Sequence, residues 1–205
     1  DQVPAGPVLV VGGGNTGYQI SEELASDRQV HLSIGSRQTP LPQRILGRDL
    51  FTYLQATRLM RASVSSRLGS RLQHRETLIG SSPRAARRRH GIRLHGRTVD
   101  VAGREVLFGD GDSVAPEAVI WATGFRLDHS FVRLPVFDSD GRLVHERGVT
   151  ASPGLYFLGL PWQHTRGSAL LGWVRDDAEF IAQRIAAFAE AQGAAGGAEH
   201  GALTR

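Results

Sequence analysis

The feature that most constrains this chain is a glycine cluster that directly follows its first apolar run. Val8-Leu9-Val10-Val11 is a β-favouring segment without polar alternation, which is typical of a strand buried on both faces of a parallel sheet. Gly12, Gly14 and Gly17 follow at Gly-x-Gly-x-x-Gly spacing. Residues 15–26 then form a helix-compatible stretch without proline. This order of strand, glycine turn and helix predicts an α/β fold with a parallel sheet.

The glycine spacing has a specific physical use. The first glycine permits the tight turn, the second lets the backbone approach a pyrophosphate, and the third lets helix and strand pack closely. The helix N-terminus adds free N–H groups and the positive end of the helix dipole. We therefore predict that Gly12, Gly14 and Gly17, with Asn15 and Thr16 between them, bind a dinucleotide cofactor. The alternative is a glycine-rich turn in an unrelated α/β domain.

The end of the next predicted strand indicates which dinucleotide is bound. Residues 29–34 alternate as a second parallel strand, and Gly35-Ser36-Arg37 follows at its carboxyl end. A site for NAD usually has an acidic residue here, about 20 residues beyond the glycine motif. This chain has instead the hydroxyl of Ser36 and the guanidinium of Arg37, which suit a 2′-phosphate. The pattern favours NADP(H), and the alternative is a solvated arginine after a strand.

Composition limits the remaining function classes. The 205 residues include no cysteine, so disulfides, thiolate metal sites and dithiol chemistry are excluded. No apolar run approaches the roughly 18 residues of a spanning helix, so we expect a cytoplasmic protein without a membrane span. We predict no metal site, because His164 has no companion at metal-ligand spacing.

The formal net charge of +4 comes entirely from arginine. Six arginines crowd residues 84–97, which raises the hypothesis of nucleic-acid binding. The span has no interleaved aromatic residues for base stacking, so we do not predict a nucleic-acid partner. We prefer a helix capped by Ser82, started by Pro83 and ended by Gly91, with the arginines in its last turn.

The later part of the chain predicts further strands and one long helix. Strand candidates at 92–94, 98–101 and 105–108 predict a small antiparallel meander, which ends in a buried strand at 118–122 before Thr123-Gly124. The apolar residues 154–160 predict another strand, followed by a polar and aromatic loop. A helix is predicted from about residue 170 to 191, and the tail 193–205 is predicted to be disordered.

Three segments resemble the bacterial flavin-containing monooxygenase-like flavoproteins, a group often labelled potassium-transport flavoproteins. Gly12-Gly13-Gly14-Asn15-Thr16-Gly17 is similar to that family's second, NADPH-binding glycine motif. Trp121-Ala122-Thr123-Gly124-Phe125 is similar to the segment that links its two dinucleotide domains, and residues 154–177 to the part that returns to its FAD domain. The resemblance implies a Rossmann-type NADPH-binding domain at 6–125 and a C-terminal segment of an incomplete FAD-binding domain at 126–192.

The resemblance also implies an activity. In such a flavoprotein oxidoreductase NADPH passes a hydride to FAD, and the reduced flavin reacts with oxygen to oxygenate a small-molecule soft nucleophile or ketone. We assign no catalytic side chain, because the flavin does the chemistry. The resemblance places Asn15, Thr123 and Gly124 near a cofactor, although Asn15 is equally well interpreted as a helix cap.

On the flavin side, the resemblance places the loop with His164, Arg166 and Ser168 near the ring, with a surface loop as the alternative. The family's earlier Gly-x-Gly-x-x-Gly unit for FAD does not lie in this chain. We therefore expect an incomplete FAD site, completed by a homo-oligomer or by a chain that supplies the FAD half. The alternative is a catalytically inactive, truncated NADP(H)-binding module. Apolar residues at 155–158 and Trp162 are expected to be exposed.

Overall fold

The computed structural model describes residues 3–36, 38–57, 59–73 and 77–202. The chain divides into two compact units, of which the first comprises residues 1–53 and 75–126 and the second comprises residues 54–74 and 127–205. Residues 54–74 therefore group with the later part of the chain, although the sequence placed them inside a continuous first domain. Among the described residues, no helix combines the length and apolar character needed to cross a membrane.

The described residues form short strands, helices and two 3₁₀ turns. The strands are β1 (Val8–Val11), β2 (Val30–Ser33), β3 (Thr39–Leu41), β4 (Arg44–Ile45), β5 (Arg48–Asp49), β6 (Thr77–Ile79), β7 (Arg93–His95), β8 (Thr98–Ala102), β9 (Glu105–Phe108), β10 (Ser113–Val114) and β11 (Ala118–Trp121). The helices are α1 (Asn15–Leu24), α2 (Leu50–Ala56), α3 (Arg67–Gln73), α4 (Pro83–His90) and α5 (Arg175–Ala202), and the 3₁₀ turns are Leu59–Arg61 and Arg166–Ala169.

The main sheet of the first unit is parallel and has the strand order β11-β1-β2-β7. Numbered along the chain within this sheet, the order is 3-2-1-4 when it is read from β7, as in the dinucleotide-binding Rossmann fold. Val8, Leu9 and Val10 are completely buried, because α1 and α4 cover one face and the meander covers the other. The predicted fold class, a Rossmann-type parallel sheet with a small antiparallel meander, is confirmed.

The meander consists of β8, β9 and β10, which pair antiparallel. The prediction that residues 92–94 belong to it is wrong, since β7 pairs parallel with β2. The physical reason is that Ile92 and Leu94 pack into the core shared by β1, β2 and α1, which local strand propensity does not reveal. The strand β11 is also less buried than predicted: Val119 is 40% and Trp121 69% exposed, because β11 is an edge of the described sheet.

Helix α4 confirms the predicted start and stop signals. The Ser82 hydroxyl accepts the Ala85 N–H at 3.1 Å, and Pro83 occupies the first helical position. Gly91 ends the helix at a φ of 65°, in the left-handed region that favours glycine. The arginines of the last turn are exposed, which agrees with the interpretation of the cluster as the solvent-facing end of a capped helix.

The second unit differs more from the sequence prediction. Residues 154–160 form no strand, apart from an isolated bridge between Val149 and Tyr156, because the described residues offer them no partner strand. The long helix begins at Arg175 rather than near 170, because Leu170 is extended after the 3₁₀ turn. It continues to Ala202, through residues that the sequence analysis predicted to be disordered; residues 203–205 lie outside the described residues.

Of the apolar residues that the sequence analysis expected to be exposed, only some are exposed in the structure. Leu158 is exposed, but Trp162 is half-buried. The most exposed apolar side chains of the second unit include Leu171 and Phe131, which the sequence did not single out. Two small sheets of the first unit, in which β3 pairs with β6 and β4 with β5, were also not predicted.

Candidate functional site

The glycine loop connects the carboxyl end of β1 to the first turn of α1. Gly12 has a φ of 125°, and a Cβ on it would meet the carbonyl of Ala122 at the end of β11. A Cβ on Gly17 would meet the carbonyl of Gly12. These two glycines are therefore required by close contacts within the protein.

Gly14 is different from its two neighbours in the motif. A Cβ built on Gly14 would find no atom within 4 Å, and its φ of −74° suits any residue. Internal packing and backbone strain therefore do not explain a glycine here. Glycine is also a favoured N-cap residue, and the missing side chain leaves open space beside this backbone.

The first turn of α1 provides the electrostatics of an anion site. Gly14 is the N-cap, and the first turn contains no acidic residue. The N–H groups of the first helical residues have no partner within the helix, and the helix dipole places partial positive charge there. The ten-residue helix is long enough to sustain this field.

Asn15 has a role that neither sequence interpretation included. Its Nδ2 donates to the Thr77 carbonyl at 3.1 Å, and its Oδ1 accepts the Ile79 N–H at 2.8 Å. Both ends of the amide thus bind the backbone of β6. Asn15 is the first helical residue rather than the cap, and it ties α1 to β6. Thr16, the next residue, is exposed.

Thr123 and Gly124 lie beside the glycine loop. The Ala122 N–H donates to the Val11 carbonyl at 2.8 Å, which continues the pairing of β11 with β1 up to the loop. Thr123 and Gly124 then emerge exposed. The structure therefore brings together two predicted groups, the glycine motif and the Thr123-Gly124 pair, at the carboxyl edge of the sheet.

The carboxyl ends of β2 and β7 form the other side of this edge. Ser36 is exposed there, and Arg37 lies outside the described residues. The structure adds Arg97, whose Nη2 donates to the Gly35 carbonyl at 3.2 Å. The sequence analysis placed Arg97 only in the arginine cluster. Its position two residues after β7, a strand of the parallel sheet, was the signal that could have placed it at the carboxyl edge.

The turn that carries Arg97 is fixed by buried polar contacts. The Ser33 hydroxyl donates to the Gly96 carbonyl at 2.9 Å and accepts the Thr98 N–H at 3.0 Å. Nearby on β2, burial and, to a smaller extent, the neighbouring His95 and Arg93 together lower the pKa of His31 to about 4. His31 is therefore neutral at physiological pH.

The predicted residues on the flavin side lie in the second unit. Ser168 is completely buried, and its hydroxyl accepts the N–H groups of His164 (3.1 Å) and Thr165 (2.9 Å). With the Thr165 side chain it forms a capping box for the 3₁₀ turn. His164 is half-buried, and the Arg166 guanidinium lies 6.0 Å from the centre of the Trp162 ring. Ser168 thus holds this loop in shape, and contacts of the three residues with a cofactor stay a prediction.

The second unit also contains a buried ion pair that the sequence analysis missed. Arg147 Nε lies 2.7 Å from the Asp177 carboxylate, and the Asp177 side chain is only 3% exposed. Arg147 also donates to the Asp176 carbonyl at 2.8 Å and stacks on Phe180 at 4.5 Å. This pair joins residue 147 to the first turn of α5.

The parallel sheet and the glycine loop together define a Rossmann-type fold. No protein-family model matches the chain. The chain is 40% identical over 186 residues to an uncharacterized CzcO-like oxidoreductase of Geobacillus kaustophilus, an alignment that covers 90% of this chain and 53% of that protein. The chain spans about half the length of the curated relatives it matches.

Solved flavin monooxygenases share this fold. A flavin-containing monooxygenase of Stenotrophomonas maltophilia superposes with a TM-score of 0.61 at 23% identity, covering 89% of this chain and 50% of that one. An ornithine N-hydroxylase of Kutzneria sp. 744, solved with reduced FAD, NADP⁺ and L-ornithine, gives a TM-score of 0.62 at 14% identity, covering 94% and 55%. The predicted resemblance to flavin monooxygenase-like oxidoreductases is therefore confirmed.

Proposed function

We propose that this chain provides the NADPH-binding part of a flavoprotein oxidoreductase of the monooxygenase type. The observation that carries the proposal is the open space at Gly14, at the N-terminus of a helix with no acid in its first turn. A pyrophosphate needs this combination of backbone N–H donors, dipole field and missing side chain. The oxidoreductase relatives support the redox assignment.

Each side of the sheet edge has a role in this proposal. The N–H groups at the start of α1 bind the pyrophosphate, while Gly12 and Gly17 hold the loop against β11 and α1. Thr123 and Gly124 border the cofactor from the end of β11. Ser36, Arg37 and Arg97 supply the hydroxyl and the cations that select a 2′-phosphate, and hence NADP(H) over NAD(H).

FAD belongs to the proposal through the relatives rather than through a pocket of this chain. When bound, a flavin accepts a hydride from the nicotinamide and supplies the oxygen chemistry. The 205 residues contain one such glycine cradle after a buried strand, at residues 12–17. In the second unit, the first turn of α5 contains Asp176 and Asp177, which pair with Arg61 and Arg147, instead of a glycine loop. The start of α5 therefore does not resemble the glycine loop at residues 12–17, and FAD binding by this chain rests on its relatives.

An absorbance and fluorescence titration tests the proposal. The purified chain is titrated with NADPH, then given FAD, and the flavin band is followed as NADPH is added again. We expect saturable NADPH binding, and flavin uptake with bleaching by NADPH indicates a working oxidoreductase. NADPH binding without flavin uptake favours the inactive NADP(H)-binding module. Absence of NADPH binding by the folded chain overturns both the oxidoreductase and the binding-module assignments.

The arginines at the carboxyl edge predict cofactor selectivity. Loss of a charge-assisted contact to the 2′-phosphate costs about 1.5–3 kcal/mol, so Arg37→Ala and Arg97→Ala are each expected to weaken NADPH binding by roughly 10- to 100-fold. NADH lacks this phosphate, so its affinity is expected to change little. The measurement is the NADPH-to-NADH ratio of dissociation constants.

Arg88→Ala is the matched control, because Arg88 is an exposed arginine of α4 in the same cluster. It is expected to leave the ratio unchanged. Equal loss of NADPH and NADH in the Arg37 and Arg97 variants contradicts the assignment of a 2′-phosphate site.

A further inference from the structure

A histidine and two aspartates meet at the carboxyl end of β7, in the first unit. His95 is the last residue of β7, and Asp110 and Asp112 lie in the turn between β9 and β10. One ligand atom from each lies within 4.8 Å of those of the other two. The sequence analysis did not connect them, because they come from separate strands of two sheets.

The His95 ring is buried and rigidly placed. Its side chain is 8% exposed; its ring stacks on Phe108, with ring centres 4.3 Å apart, and lies nearly parallel to the His31 ring, with ring centres 5.1 Å apart. Its Nδ1 is buried and has no hydrogen-bond partner among the described residues. That atom lies 3.3 Å from Asp112 Oδ2, without hydrogen-bond geometry. A buried, unpartnered nitrogen is therefore aimed at two carboxylates.

A chain of hydrogen bonds through Gln29 and His31 determines which nitrogen of His95 carries the proton. In the orientation that satisfies both ends of the Gln29 amide, its oxygen accepts from Arg93 Nε and from His31 Nε2, each at 3.2 Å. When His31 donates through Nε2, its one-proton tautomer accepts through Nδ1. His31 Nδ1 lies 2.8 Å from His95 Nε2, which is then the donor. With Nε2 donating to His31, the one-proton tautomer of His95 has its lone pair at Nδ1, which faces Asp110 and Asp112.

A lone pair beside two carboxylates is electrostatically unfavourable unless a positive charge lies among them. We propose that His95 Nδ1, Asp110 and Asp112 bind a divalent transition-metal ion of the Zn²⁺ type. One imidazole and two carboxylates suit Zn²⁺ and neutralise its charge, whereas Ca²⁺ and Mg²⁺ prefer oxygen ligands throughout. His31 has the position of the partner that fixes the tautomer of a metal-binding histidine.

The ion also has a structural consequence for the neighbouring turn. The Gly96 N–H donates to Asp110, and Arg97 follows directly. A metal bound to His95 and Asp110 braces this turn at both ends and so restricts the backbone that positions Arg97. The site itself does not depend on nucleotide binding, so its test is separate from that of the proposed function.

A second Asp-x-Asp turn provides a matched comparison. Asp138 and Asp140 are also exposed and two residues apart, and Asp138 accepts the N–H groups of Asp140 (3.0 Å) and Arg142 (2.8 Å). Within the described ranges, the cluster with metal-ligand spacing includes Asp110 and Asp112 but not this pair. The two acidic turns therefore differ in one respect: the turn with Asp110 and Asp112 lies beside a buried imidazole, that of His95, and the turn with Asp138 and Asp140 is not part of such a cluster among the described residues.

Zn²⁺ titration of the full 205-residue chain, carrying no histidine tag, tests the site. We expect saturable binding of one ion by calorimetry and a rise in the unfolding temperature with Zn²⁺. Asp112→Asn is the cleanest variant, because its carboxylate is 67% exposed and its side chain touches His95. Since losing even an outer partner of a ligand costs about 10- to 100-fold in affinity, losing this ligand is expected to cost at least about 10-fold.

The controls separate this site from adventitious binding. The double variant Asp138→Asn with Asp140→Asn is expected to bind Zn²⁺ like the parent, and circular dichroism checks that every variant is folded. Long-range ¹⁵N spectra of the histidines are expected to show His95 shifting at Nδ1 when Zn²⁺ is added. The proposal is overturned by absence of saturable binding in the folded parent, by unchanged binding in Asp112→Asn, or by a His95 that carries protons on both nitrogens and does not respond to Zn²⁺.

Discussion

Gly17→Ala is expected to destabilise the first unit by about 1–3 kcal/mol, the usual cost of overpacking a well-packed site. The new Cβ would overlap the carbonyl of Gly12, and no rotamer change can relieve a clash between a Cβ and backbone. Alanine favours a helix over glycine by about 1 kcal/mol, so this gain offsets only part of the cost. The helix α1 must move away from β1, which also displaces the N–H groups that face the proposed pyrophosphate.

Gly14→Ala is the matched variant, three residues away in the same motif. Its Cβ meets no atom within 4 Å and its φ is ordinary, so we expect a change in stability of at most about 1 kcal/mol. NADPH affinity is nevertheless expected to fall by at least about 10-fold, since the methyl group occupies the space of the pyrophosphate. Urea unfolding and NADPH titration of both variants separate the structural glycine from the ligand-facing glycine.

Two results contradict this assignment. If Gly14→Ala binds NADPH as tightly as the parent, no ligand approaches that backbone and the proposed cradle is wrong. If Gly17→Ala is as stable as the parent, the close contact between the loop and α1 is not required by the fold. A Gly17→Ala variant that loses binding without losing stability likewise contradicts the separation of roles.

Local signals explain which parts of the fold could be predicted. The strand β1, the glycine turn and the helix α1 are adjacent in sequence, and each is specified by residues within a few positions of itself. The ends of α4 were predictable for the same reason, since Ser82, Pro83 and Gly91 act on their own turns. Only the family resemblance placed Thr123 near a cofactor, because its position beside the glycine loop depends on the parallel pairing of β11 with β1.

The misses share a cause in contacts between distant residues. Whether residues 93–95 join the meander or the main sheet depends on pairing with β2, some sixty positions earlier in the chain. Residues 154–160 have strand propensity, but a strand also needs a partner. The approach of Arg97 to Gly35, like the meeting of His95 with Asp112, depends on that same pairing and on the β9–β10 turn.

Asp177→Ala is expected to destabilise the second unit by about 3 kcal/mol, the lower end of the range for breaking a buried ion pair. The Asp177 carboxylate is 3% exposed and Arg147 is 26% exposed, so removing the carboxylate leaves a largely desolvated guanidinium. Arg147 keeps its bond to the Asp176 carbonyl and its contact with Phe180, which hold the charge in place rather than release it to water. Replacing both partners, by Arg147→Met with Asp177→Leu, removes the unpaired charge and is expected to recover much of the loss.

Asp176→Ala is the matched control, because Asp176 is the adjacent acidic residue in the same first turn of α5. It pairs with Arg61 at 3.0 Å, but both side chains are about half exposed, and exposed pairs contribute about 0–1 kcal/mol. Urea unfolding is followed by the fluorescence of Trp162 and Trp173 in the second unit, in a Trp121→Phe background that removes the tryptophan of the first unit. Equal destabilisation by Asp176→Ala and Asp177→Ala means that the effect comes from the charge at the helix N-terminus. A markedly larger loss for Asp177→Ala, recovered in the double replacement, identifies the buried pair as the interaction that joins residue 147 to α5.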